Sequence, residues 1–296
     1  MGSFPGFLYK QITFKPKPPP QSVKLHGLTA LVTGGNAGLG LEACKELAAH
    51  GVARIVLGVR STAKGDDARK EILALHSGVD VQVWELDHES FDSVRKFADR
   101  AAALDRLDIA ILSAGVKSME FSRSRAGHES NVQVRRPRSV ALPSSPYVYR
   151  FESTWPGHHL GTALLSLLLL GPLKATATAK ASKTRLTIVS SETHFWAKLS
   201  EVTTPNTFES MDKKESFGKG MDRYNASKLL NVLWMRELST RAGGNVIINA
   251  VNPGFCQSTL HRSDPSGSSF ANLIGWTARQ GGHCLTATAP TSANRP

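Results

Sequence analysis

This 296-residue chain is short of three things: long apolar runs, cysteine, and clusters of like charge. Its most apolar stretch, Leu160 to Leu173, is 14 residues long, whereas a helix that crosses a bilayer needs roughly 20. That stretch reads as a buried helix, and no membrane span is expected. The three cysteines, Cys44, Cys256 and Cys284, are odd in number and far apart. They fit a reducing, cytoplasmic setting better than a disulfide framework. None stands among residues that would complete a metal site, so no metal is expected. The formal charge of +12, from 36 basic and 24 acidic residues, is scattered, with no five consecutive Lys or Arg. A nucleic-acid partner is therefore not expected, whereas a positive field suits a ligand carrying several phosphates.

The start of the chain also lacks something. Met1 to Pro20 has no long apolar core and ends in Lys15-Pro16-Lys17-Pro18-Pro19-Pro20, so it reads as an extended arm and not as a secretory signal. Gly6 stands where a myristoylation motif needs Ser or Thr. The expected organisation is an arm over residues 1–26 followed by one domain over 27–296, since composition (41% apolar, 20% charged) is that of a soluble globular protein.

Within that domain, strand and helix signals alternate as in a doubly wound parallel sheet with helices on both faces, the α/β Rossmann class. Strands are predicted over Leu28–Val32, Arg54–Val59, Val81–Leu86, Asp108–Leu112, Arg185–Val189 and Asn245–Ala250. Helices are predicted over Leu39–His50, Ala63–His76 and about Ser90 to Leu104, with another around Tyr224 and Lys228. After the first strand comes Thr33-Gly34-Gly35-Asn36-Ala37-Gly38-Leu39-Gly40. In such a turn Gly34 permits the bend, Gly38 lets backbone approach a pyrophosphate, and Gly40 permits close helix packing. After the second strand an NAD-selecting protein would place an acid against the ribose hydroxyl; this chain offers Val59-Arg60-Ser61 with Lys64 beyond. That choice favours NADP; the lesser alternative is that Arg60 is a solvated strand-end charge. Tyr224 and Lys228 are four residues apart and so share a helix face, where an ammonium favours the ionised phenol. Either motif alone is weak; together they indicate a nicotinamide oxidoreductase.

These residues resemble the short-chain dehydrogenase/reductase family, most closely its retinol-dehydrogenase-like branch as found in fungal secondary metabolism. The likeness runs from about Gly27 to Thr286. It rests on the glycine turn, Asp87 after the third strand, Ser113-Ala114-Gly115 in the family's Asn-Ala-Gly slot, Ser190-Ser191, Tyr224-x-x-x-Lys228 and Asn252-Pro253-Gly254. The resemblance implies that Thr33, Gly34, Asn36, Gly38, Leu39, Gly40, Arg60, Asp87, Ala114, Gly115, Pro253 and Gly254, with Tyr224 and Lys228, bind NADP(H), NADPH in preference to NADH. Asp87 would contact adenine, although it could instead cap the following helix. Ser191, Tyr224 and Lys228 would be catalytic, with Ser190 as the alternative serine. A tyrosine's ordinary pKa of about 10 is too high for ready proton exchange near neutrality, so the lysine is needed beside it. The substrate would be a carbonyl or secondary alcohol of a small apolar metabolite. A homodimer is implied through the helix after the fourth strand and the helix bearing Tyr224.

The pattern breaks in two places. The family carries a catalytic Asn in the helix after the fourth strand, and here Asn131-Val132-Gln133-Val134 leads into Arg135-Arg136-Pro137-Arg138 instead. Residues 135–159 look inserted, with Pro137, Pro143, Pro146 and Pro156 among them. Proline inside a helix costs about 3 kcal/mol or more, whereas each doubling of a loop costs only about 0.6 kcal/mol, so a surface loop splitting the helix is expected. Retained intron sequence or a misdrawn gene boundary would explain the segment, as would a genuine insertion. In the alternative function, the interruption leaves a cofactor-binding protein with impaired catalysis. The second break is the C-terminus, where Gly/Ser-rich Ser263 to Ser269 suits a substrate loop and the chain stops at Pro296 while relatives commonly continue.

Overall fold

Thr29–Thr33 has all five positions buried, the mark of a central parallel strand whose two faces are both covered by helices. Around this strand, β1, the computed structural model describes residues 17–115, 120–121, 157–204 and 207–254, with residues 6, 9 and 13 of the arm. In chain order there follow α1 (Gly38–Ala49), β2 (Arg54–Val59), α2 (Thr62–Leu75), β3 (Asp80–Glu85), α3 (Phe91–Ala102), β4 (Ile109–Leu112) and α4 (Gly157–Ala179). Then come β5 (Thr184–Val189), α5 (Thr207–Met211), α6 (Gly220–Ala242) and β6 (Val246–Val251), with 3-10 turns at Glu192–Trp196, Ser200–Thr203 and Lys214–Ser216. The strands form one parallel sheet in the order β3-β2-β1-β4-β5-β6. The order reverses between β1 and β4, which opens a crevice above their C-terminal ends.

Two cores sandwich the sheet. Leu47, Ile55, Leu57 and Ile72 pack under α1 and α2 on one face. Leu31, Phe97, Leu165, Leu169, Leu173, Leu186 and Leu238 pack under α3, α4 and α6 on the other. Each such Leu or Ile contributes about 1.5–3 kcal/mol by burial. Helix starts follow local chemistry: Ser61 Oγ accepts from Lys64 N at 3.5 Å and Ser90 Oγ from Ser93 N at 3.2 Å. The cap of α3 is therefore Ser90 and not Asp87, whose Oδ1 accepts from Glu89 N at 2.9 Å in the preceding turn.

Helix α4 differs from its expectation. It begins at Gly157, before the anticipated Leu160, and runs 23 residues to Ala179. By length and composition its Gly161–Ala179 part could cross a membrane, so the shortness of the apolar run is no argument against a span. Here it lies against the sheet and α6, with Leu165, Leu169 and Leu173 fully buried and Trp234 Nε1 donating to Ser166 Oγ at 2.8 Å. Residues 122–156, which include the expected Asn position and most of the atypical segment, lie outside the described residues, as do residues 255–296 with Ser263 to Ser269. At the other end, Leu25 N donates to His50 O at 2.9 Å, so the last residues of the arm are fastened to the end of α1.

At the N-terminal edge of the sheet, buried Asp108 joins two central strands. Its Oδ2 accepts from Thr29 N and Arg106 Nε, each at 2.8 Å, and its Oδ1 from Arg106 Nη2 at 2.8 Å. Asp108→Ala leaves a buried N–H and a guanidinium without their acceptor, and it should lower the unfolding free energy by roughly 2–4 kcal/mol. Urea denaturation followed by circular dichroism measures this.

Candidate active site

The turn from β1 into α1 is built by close approach. Gly34 has φ +69° and Gly38 φ +54°, backbone that side chains rarely adopt. A Cβ on Gly34 would lie 2.9 Å from Ala114 Cα, and one on Gly40 would lie 2.4 Å from Gly34 O. Ala114 N donates to Thr33 Oγ1 at 3.1 Å, which pins the residues after β4 to the end of β1. Ala37 precedes α1 without a side-chain cap, and no acidic residue occupies the first turn. The first N–H groups of α1 thus keep their hydrogen-bonding capacity at the positive end of the helix dipole, in a cradle shaped for a phosphate group. Asn36 and Leu39 are half-buried in this turn, and Leu39 shares a narrow apolar crevice with Ser113, Val189 and Pro253.

Toward the β3 edge, Arg60 follows β2 with a side chain 72% exposed and Nη1 4.0 Å from Glu89 Oε1. At that distance and exposure the pair is weak, and the guanidinium can accept another anion. Asp87 is half-buried after β3, its main-chain N donating to Ser93 Oγ at 2.9 Å. A groove of about 330 Å³ between Trp84 and α3 is lined by Ser93 but by neither Arg60 nor Asp87.

The other half of the site assembles where β5 meets α6. Tyr224 and Lys228 lie on one face of α6, with Lys228 Nζ 5.5 Å from the centre of the Tyr224 ring. Nζ also donates to Val189 O at 3.3 Å, and a Cβ on Gly115 would come within 3.8 Å of it. Burial pushes the Lys228 ammonium down to about 8 from 10.5, so it remains charged at neutral pH. Because the folded value is depressed, burial of this charge opposes folding below about pH 8, and the opposition fades as pH rises toward 10.5. A phenol beside a retained ammonium gives up its proton at a smaller cost.

Geometry also separates the neighbouring serines. Ser190 is 5% exposed, and its Oγ donates to Lys228 O at 3.0 Å; it staples β5 to α6. Ser191 Oγ accepts from Thr193 N at 3.3 Å and Thr193 Oγ1 at 3.1 Å, which leaves its own O–H to donate. After β6, Asn252 Nδ2 donates to Glu192 Oε2 at 3.2 Å and Gly254 N to Asn252 Oδ1 at 3.1 Å. Pro253 and Gly254 are thereby held beside the end of β5. The staple and the Glu192–Asn252 bond have no sequence signal, because each joins residues that only the sheet brings together. Thr33, Gly34, Asn36, Gly38, Leu39, Gly40, Ala114 and Gly115 therefore converge at the switch point, while Arg60 and Asp87 lie toward β3 and Ser191, Tyr224 and Lys228 toward β5 and α6.

A glycine turn feeding an uncapped helix at the switch point of a doubly wound sheet defines a dinucleotide-binding Rossmann protein. Residues 28–134 match the family described as short chain dehydrogenase. Over 298 residues the chain is 54% identical to the short chain dehydrogenase sol3 of Alternaria solani, covering 100% of this chain and 96% of that protein. It is 35% identical to the short chain dehydrogenase/reductase mfmJ of Annulohypoxylon moriforme over 284 residues, 93% of this chain and 75% of that one. The chain belongs to the short-chain dehydrogenase/reductase family. Solved structures share the fold: a short chain dehydrogenase from Escherichia coli CFT073 complexed with NADPH has a TM-score of 0.56 at 20% identity, covering 88% of this chain and 96% of that one. One from Burkholderia phymatum in complex with NAD has a TM-score of 0.53 at 16% identity, covering 89% and 83%.

Because a Cβ at position 40 would fall inside van der Waals distance of backbone, Gly40→Ala must push α1 off its turn. Its affinity for NADPH, titrated by nucleotide fluorescence, should fall at least about tenfold, with the far-ultraviolet circular dichroism retained.

Proposed function

We propose that the chain is an NADP(H)-dependent oxidoreductase that interconverts a carbonyl and a secondary alcohol on a small apolar metabolite, in secondary-metabolite biosynthesis as its family resemblance implies. The observation that carries this is the buried Lys228 ammonium beneath the Tyr224 ring, at the open end of a sheet whose other half is a phosphate-shaped turn. The turn from Thr33 to Gly40 would hold the pyrophosphate, Arg60 the 2′-phosphate and Asp87 the adenine. Ala114, Gly115, Pro253 and Gly254 would flank the nicotinamide. When bound, the nicotinamide supplies or accepts the hydride at the substrate carbon.

The chain's own residues handle the oxygen. Ser191 donates a hydrogen bond to the carbonyl oxygen, and Tyr224 gives that oxygen its proton in the direction of reduction. Lys228 stabilises the phenolate left behind. A homodimer through α4 and α6 belongs to the same reading.

A second reading, a protein that binds the cofactor but turns over poorly, is favoured by one observation: the family match ends at residue 134, where the expected Asn gives way to Arg135. Wild-type protein assayed for NADPH oxidation across a panel of ketones and aldehydes decides between them. NADPH binding without turnover supports the second reading. Under the first, Tyr224→Phe and Ser191→Ala each lower kcat by about 100-fold or more, while Ser190→Ala retains kcat within severalfold and loses about 1 kcal/mol of stability. The wild-type reduction rate should also fall as pH rises through about 8, where Lys228 loses its proton.

Cofactor choice has its own test. Arg60→Ala should raise the Kd for NADPH by about tenfold or more and leave that for NADH nearly unchanged, the loss of one charge-assisted contact to phosphate. Equal weakening of both nucleotides would exclude the assignment of Arg60 to the 2′-phosphate.

A further inference from the structure

Arg223 immediately precedes Tyr224 on α6, and it is a buried cation. Its side chain is 2% exposed, and Nη1 lies 3.1 Å from Oε1 of Glu201, whose side chain is 10% exposed. Nη2 donates to Ser216 O at 2.7 Å and to Ser216 Oγ at 3.1 Å. The guanidinium faces the Phe217 ring at 6.0 Å, and Phe217 meets Phe121, from the segment after β4, edge-on at 5.7 Å. One side chain therefore ties α6 to the turn Ser200–Thr203 and the turn Lys214–Ser216 and, through Phe217, reaches the chain that leaves β4.

An independent apolar contact seats the same segment on the same part of the helix. Met211 is fully buried against Ala226 and Leu230, with Leu199 packed beside them, and Ala226 lies between Tyr224 and Lys228 in the chain. A buried ion pair is weak support for stability, since apolar side chains of equal volume often do as well. What it adds is direction: a guanidinium fork fixes both the distance and the angle of the groups it binds. Glu201, Met211, Ser216 and Phe217 thus meet α6 at Arg223 and Ala226, on either side of Tyr224 in the chain, whereas the glycine turn, Arg60 and Asp87 lie on the β1–β3 side of the sheet.

We propose that Arg223 is a positioning residue which, with Glu201, clamps residues 199–204 and 207–217 onto α6 and so fixes the substrate-facing wall beside Tyr224, with no part in cofactor binding. The substrate half of this statement rests on the reductase reading above; the clamp does not.

The test uses the full chain as wild type, Arg223→Lys, Arg223→Met and the double variant Glu201→Met/Arg223→Met, in which no charge is left unpaired should Arg223→Met fail to fold. Hydrogen–deuterium exchange should show the amides of 199–217 exchanging at least about tenfold faster in Arg223→Met and the double variant, with β1 to β4 still protected. NADPH Kd should stay within about twofold of wild type. In turnover, KM for the carbonyl substrate should rise by about tenfold or more with kcat changed less than about threefold, and Arg223→Lys should recover part of the loss. Unchanged exchange in 199–217 overturns the clamp. Loss of protection and NADPH binding throughout the domain in the double variant overturns it too, since the pair would then serve only the fold. Wild-type protein that turns over no carbonyl refutes the reductase reading alone, and the exchange result then decides the clamp.

Discussion

The open end of the sheet is organised around keeping one ammonium out of water and still charged. Lys228 reaches from α6 to the last carbonyl of β5, and Ser190, one residue further along, reaches back to the main-chain oxygen of Lys228. These reciprocal bonds lock strand and helix in one relative position. Gly115, three residues past β4, has no side chain, and a Cβ there would lie 3.8 Å from the ammonium. A charge in such a place is tolerated only when the groups around it cannot relax away. The rigidity that the ammonium demands is the rigidity that a hydride-transfer site needs.

Much of this was legible in the chain before its structure. The strands were, because β1 and β2 are short, nearly continuous buried runs and β3 and β5 alternate apolar with polar residues, each pattern bounded by turn chemistry. The glycine turn was, because positive φ at Gly34 and the contact at Gly40 leave no alternative residue. Other features were hidden for physical reasons. An apolar run reports burial and not helix length, so Leu160 to Leu173 understated α4, whose Lys174-Ala175-Thr176-Ala177 end is helical while only partly apolar. Ser190 and Ser191 are chemically identical, and only their tertiary partners tell them apart: Ser190 bonds the main chain of α6, while Ser191 caps the turn that follows it. Arg223 and Glu201 are 22 positions apart, and no local rule pairs them.

The family match that stops at residue 134 and the likeness to sol3 along the whole chain are compatible for a related reason. Between β4 and β5 the fold requires a parallel crossover that delivers α4 to the sheet face. It does not require a connection of fixed length, since closure entropy grows only logarithmically. Helix α4 accordingly takes its place with Leu165, Leu169 and Leu173 on the sheet, and Thr176 Oγ1 accepts from Leu107 N at 2.8 Å just ahead of β4. Local sequence pattern is lost at the junction while the layer beneath is kept.

The two fastenings on α6 have different owners. The one at Lys228 runs to main-chain atoms of β5 and to a serine hydroxyl, so drift in the neighbouring loops leaves it intact. The one at Arg223 runs to the Glu201 carboxylate as well as to the main-chain oxygen and hydroxyl of Ser216, so one of its bonds depends on which residue stands at 201. Under the roles proposed above, a lineage carrying this arrangement can change residue 201 and its surroundings while inheriting the Tyr224–Lys228 helix face whole.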